Sequence, residues 1–165
     1  MLSASLGALL AIGVSGPVLG QNPPDNPQPP SEIDQVMKAT GYKYSDDGSF
    51  IDFKMTFNDT KRGHKVFVRK APETYLSLKV NEVYGLVYES KEEPSKDIVT
   101  RIFEKRYRIG SIIIEEPSEK QAFWRIRYRL EFHSGWTADK FKDAANIVAS
   151  TADSLEKELS STGED

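Results

Sequence analysis

The stretch Ala122–His133 constrains this chain more than any other. It reads Ala-Phe-Trp-Arg-Ile-Arg-Tyr-Arg-Leu-Glu-Phe-His and alternates with a period of two. Trp124, Ile126, Tyr128, Leu130 and Phe132 fall on one side. Phe123, Arg125, Arg127, Arg129, Glu131 and His133 fall on the other. Successive side chains of a strand point to opposite faces, so this pattern specifies a sheet with one buried face and one charged, wet face. The rest of the chain must cover the apolar face, and 165 residues suffice for one domain with its own core.

The ends have a different composition. Leu2–Leu19 carries no charged side chain, and its apolar run Leu6–Val14 is broken by Gly16-Pro17. This reads as a secretory signal peptide over 1–20, cleaved near Gly20, which makes the domain secreted or periplasmic. Its n-region is weak, because no Lys or Arg precedes the apolar run. The run is shorter than the roughly 20 residues a span needs, so no stable membrane span is expected after cleavage. Gln21–Pro30 contains five prolines and reads as an extended linker. The domain is expected over 31–160, with a flexible tail over 161–165.

Within the domain, Ser31 and Asp34 open a short helix ending at Gly41. Tyr42–Tyr44 reads as the opening of a strand. Phe50–Phe57, Lys65–Arg69 and Tyr75–Val80 alternate as three strands, the last with Leu76, Leu78 and Val80 inward and an extension over Val83–Tyr88. Gly85 marks a bulge or bend. Glu93-Pro94-Ser95 starts a second helix running to Gly110, with Arg101, Lys105, Arg106 and Arg108 complementing its dipole. Ser111–Glu116 pairs with Ala122–His133, Glu116 facing Ala122. Thr137 then caps a long helix with an apolar stripe from Phe141 to Leu159. The expected class is α+β, a mainly antiparallel five-stranded sheet with helices packed on one face, in the order α-β-β-β-α-β-β-α.

That order resembles the type III secretion chaperone-like fold and, within it, the YbjN-type family. The resemblance rests on the first helix running into Gly41-Tyr42-Lys43-Tyr44, the Tyr75-Leu-Ser-Leu strand, the helix before Gly110, and the final hairpin leading into a long helix. It implies a non-enzymatic protein-binding fold, with a homodimer among its arrangements. The export signal sets the chain apart from the chaperone branch, which works in the cytosol. The resemblance carries over no functional residues. A PsbP-like lumenal accessory protein shares the exported start and the helix-rimmed antiparallel sheet.

Composition excludes several chemistries. Without cysteine there are no disulfides, thiolate metal sites or cysteine nucleophiles. A net charge of −3, with 22 Lys+Arg against 25 Asp+Glu, gives no global attraction to polyanions and disfavours nucleic acid. No nucleophile elbow, phosphate loop or dinucleotide fingerprint occurs, and neither cofactor nor metal is expected. The candidate binding surface is Arg125, Arg127 and Arg129, with Phe123 as an apolar anchor. Same-face strand residues are about 6.5–7 Å apart, so the arginines form a compact strip suited to an anion or an acidic protein surface. Carboxylates such as Glu115 and Asp52 on neighbouring strands can instead neutralise it. His64 and His133 read as surface histidines. A small exported hydrolase or ligand-binding enzyme would have to assemble its site from them.

Overall fold

A computed structural model describes residues 31–58, 61–133 and 135–160. The expected signal peptide, linker and tail fall outside those residues. The first helix, α1 (Glu32–Thr40), begins with the anticipated capping box. Ser31 Oγ accepts from the Asp34 N–H at 3.3 Å, and the Asp34 carboxylate accepts from the Ser31 N–H at 3.1 Å. Gly41 ends α1 in the left-handed region at φ 74°.

Seven strands follow: β1 (Ser45–Asp46), β2 (Phe50–Thr56), β3 (Gly63–Arg69), β4 (Glu73–Tyr75), β5 (Leu78–Ser90), β6 (Ser111–Glu115) and β7 (Trp124–His133). Two further helices are α2 (Lys96–Glu104) and α3 (Ala138–Ser160). The sheet is open and antiparallel, ordered β1-β2-β3-β5-β7-β6, with β4 also paired to β5. The α+β class therefore stands, but seven strands replace the expected five.

The extra strands have local causes. Asp47 Oδ1 accepts from the N–H groups of Ser49 and Phe50, closing a turn that lets β1 fold back on β2. Tyr42–Tyr44 is not the strand. Tyr42 instead stacks on Phe53 at 4.9 Å between ring centroids. The Tyr75–Val80 run is not one strand either, because the chain turns at Leu76-Ser77. Leu76 sits at φ 57° and is fully exposed, and Leu78 is 56% exposed. Only Val80 of that trio is buried.

α2 is also shorter than expected. It stops at Glu104, where the Lys105 N–H donates to the Ile102 carbonyl and the backbone extends. Arg106 and Arg108 lie beyond it, so they do not complement its dipole. Gly110 is not its stop. At φ 82°, Gly110 lets the chain pass where a Cβ would lie 2.6 Å from the Arg129 carbonyl and from the Tyr128 hydroxyl.

The core lies between the sheet and α3. Ile51, Val66, Val83, Ile126 and Tyr128 face Phe141, Ala145 and Val148, all essentially inaccessible. Alanines on α3 let it lie close to the strands. A close approach lies over Gly85, where a Cβ would come within 2.8 Å of Ala152 Cβ and 2.9 Å of His64 Nε2. The register of β5 on β7 slips between Leu86 and Tyr88, so the anticipated irregularity follows Gly85 closely. Gly85→Ala is expected to lower stability by about 1–3 kcal/mol through overpacking, read as a shift in the denaturant midpoint at unchanged slope.

Candidate functional site

The opposite face of the sheet holds a concavity that, among the described residues, no helix residue lines. Strand parity sends Phe50, Phe67, Tyr84, Leu86, Arg125 and Arg127 there, together with Arg69. Register aligns Phe67 with Tyr84, and Tyr84 with Arg129. Phe67 and Tyr84 stack at 5.0 Å and 11°, and Phe50 meets Tyr84 edge-on at 6.4 Å. The Arg127 guanidinium lies 4.3 Å over the Tyr84 ring. Burial pushes the Tyr84 hydroxyl above its ordinary pKa, against the opposing pull of Arg127. With Glu89, Glu115, Lys120 and Gln121 at the rim, these residues enclose about 640 Å³. That is within the range of pockets that take small ligands or peptide side chains.

Beside this concavity sits a charge hub. Glu82 is 3% exposed and lies 3.3 Å from Arg69 Nε and 3.7 Å from both Arg127 Nη1 and Arg129 Nη1. Each spoke reaches a second carboxylate: Arg69 with Glu73 at 3.3 Å, Arg127 with Glu115, and Arg129 with Glu131 at 2.8 Å. Both Glu82 oxygens, Arg69 Nε and Arg127 Nε are buried without an aligned hydrogen bond. Charge proximity therefore holds the hub, and its polar atoms retain unused bonding capacity.

The three arginines expected to act together have different roles. Arg127 is 5% exposed and belongs to the hub. Arg129 turns to Glu82 and Glu131, its Nε–H donating to Ser111 Oγ, and it does not line the concavity. Arg125 remains at the rim, its Nε 2.6 Å from Glu89. Phe123 precedes β7, donates its N–H to Gln121 Oε1 and lies off the lining. The aromatic surface comes from Phe50, Phe67 and Tyr84, which the sequence reading did not single out. Their parity opposite Ile51, Val66 and Val83 was the available signal.

The β6–β7 register differs from expectation. Glu115 pairs with Arg125, not Phe123, and Ile113 with Arg127. The connection holds its own turn, in which Ser118 and Gln121 exchange backbone hydrogen bonds at 2.7 and 3.2 Å. The shift is an even number of residues, so every side chain keeps its expected face.

Comparison with family models, curated proteins and solved structures returns no match. The site must therefore be read from its own chemistry. Among the described residues, no helix is long and apolar enough to cross a membrane.

The histidines do not converge. His133 is exposed at the end of β7 and borders a small depression with Glu32 and Trp136. It pairs with Val80, whereas His64 contacts the Gly85 position, about 17 Å away along β5. His64 is not a surface residue: β3 begins two residues earlier than read, which puts it on the Val66–Val68 face at 6% exposure.

His64, Asp153 and Glu156 bring ligand-capable atoms within 4.8 Å of one another. Such a set could hold a divalent cation. Here Arg62 Nε and Lys157 Nζ already take the two Asp153 oxygens at 2.9 and 2.8 Å, supplying the positive charge. Burial tends to raise the Asp153 carboxyl, but hydrogen bonds from Lys157 and Arg62 outweigh it and leave the pKa below its ordinary value.

Burial holds His64 below its ordinary pKa, while Glu156 and Asp153 pull upward and Arg62 adds to the lowering. Its folded pKa is thus below its unfolded value, and the unfolded chain binds more protons between the two. Stability is expected to fall as pH drops below about 6.5, and His64→Gln should flatten that slope in denaturant titrations at stepped pH. Arg127→Met should cost about 3–5 kcal/mol by removing a buried cation shared between Glu82 and Glu115, whereas Arg125→Ala should cost less than about 1 kcal/mol in the same melts.

Proposed function

We propose that this chain is an exported, non-catalytic protein-binding module whose docking surface is the concavity on the helix-free sheet face. The observation that carries the reading is that concavity itself: aromatic side chains within it, charged and amide groups at its rim, and no helix over it among the described residues. Phe50, Phe67 and Tyr84 give apolar area at low entropic cost, and Lys120 and Gln121 supply donors around it. This composition suits a peptide segment that inserts an apolar side chain and offers carbonyls or a carboxylate to the rim. The expected YbjN-like architecture, in which such folds bind proteins, points the same way. The leader over 1–20 and the proline-rich stretch would present the domain outside the cytosol.

Phe67→Ala and Lys120→Glu test the face without touching Arg127 or Glu82. A photo-crosslinking residue at Gln121 should capture a discrete partner from the exported fraction. Capture should fall at least about tenfold in either variant. Undiminished capture by both folded variants, or equal capture from a probe on the exposed side of α3, would remove the face as the docking surface.

A further inference from the structure

We infer that the tip of the β4–β5 hairpin, Leu76-Ser77-Leu78-Lys79, is a membrane-contact element that seats its leucines in the interfacial layer of a lipid bilayer. This surface is separate from the concavity and does not depend on it. Tyr75 pairs with Leu78, so Leu76 and Ser77 form a two-residue connection. Glycine is the usual residue at the first position of such a connection when its φ is positive. Leucine holds it here at φ 57°, with its side chain fully exposed. A bulky residue in the left-handed region is strained, and this one packs on nothing in its own domain. Leu78, more than half exposed, lies two residues on. Both leucines therefore cost stability or solubility without adding to the core.

The chemistry of the tip favours lipid over a protein pocket. Energetic anchors of protein interfaces are enriched in Trp, Tyr and Arg, whereas Leu and Ser are under-represented. The tip also projects: β7 pairs with β5 only from Val80 onward, so Leu78 and Lys79 are flanked by β4 alone among the described residues. Leu76–Lys79 contains no acid, and Lys79 is exposed beside the leucines. A lysine can lay its stem along an apolar layer and keep its ammonium among headgroups, where anionic lipids attract it. The carboxylate at the hairpin's base, Glu73, is held by Arg69 at 3.3 Å. The chain also enters the domain on this side. Glu32 and Ile33 share a depression with Asn81 and His133 at the foot of the hairpin. The apolar leader expected over 1–20, if seated in a bilayer, would hold the tip toward the same surface.

The chain has no cysteine, so a single introduced one labels uniquely. The test places an environment-sensitive fluorophore on the full chain at Ser77→Cys, or at Asn146→Cys on the exposed side of α3, and adds phosphatidylcholine vesicles with or without phosphatidylglycerol. The tip label should shift to the blue and be quenched by spin-labelled lipid, and the α3 label should do neither. The readout is local, so lipid bound through the leader alone leaves it unchanged. Adding Leu76→Ser/Leu78→Ser should raise the lipid needed for half the shift at least about tenfold. Lys79→Glu should weaken the response to phosphatidylglycerol vesicles about fivefold. These positions are exposed, and circular dichroism establishes that each variant is folded. No shift at the tip, equal shifts at tip and α3, an undiminished response in either variant, or a shift produced by exported protein but not by vesicles would overturn the inference.

Discussion

One buried carboxylate organises the helix-free face. Glu82 sits on the central strand among Arg69, Arg127 and Arg129, and each of those carries a second acidic partner. Removing a spoke takes one of three cations from a carboxylate that is nearly inaccessible, which costs more than an exposed pair contributes. The hub therefore fixes side-chain positions across β3, β5 and β7. It also consumes the positive charge that made the arginine row look like an anion site. What remains available is the aromatic group next to it, oriented by the same network through Arg127 on Tyr84.

The other face depends on closeness rather than charge. α3 reaches the sheet over Gly85, with Ala152 and His64 filling the space a side chain would need. Burying His64 there brings Asp153, Glu156, Arg62 and Lys157 together at the same seam. The two faces meet on β5, which carries both Gly85 and Glu82. A single strand thus ties the packing of the helix to the electrostatics of the concavity.

Much of this was legible from residue order. The period-two pattern of Ala122–His133 placed every β7 side chain on its observed face, and Ser31 with Asp34 announced the capping box. An even register shift left face assignments intact. The misses are equally physical. The Leu76-Ser77 turn has no glycine, proline, asparagine or aspartate, and it puts a leucine at positive φ, so tertiary pairing overrode local preference there. α2 ends without a glycine, where Lys105 extends. His64 was lost because strand ends are weakly encoded and two residues decided its face. The hub could not be read from one strand, since its carboxylates come from β4, β5, β6 and β7 and meet only through register.

The central claim is that the arginine strip is internally neutralised and that recognition on this face belongs to the aromatic concavity. Nuclear magnetic resonance of the arginine Nε–H groups during titration with inorganic phosphate tests it most directly. The account predicts no saturable shift at Arg125, Arg127 or Arg129 through millimolar phosphate. A saturable shift shared by all three would contradict it and return the strip to the role of an anion site.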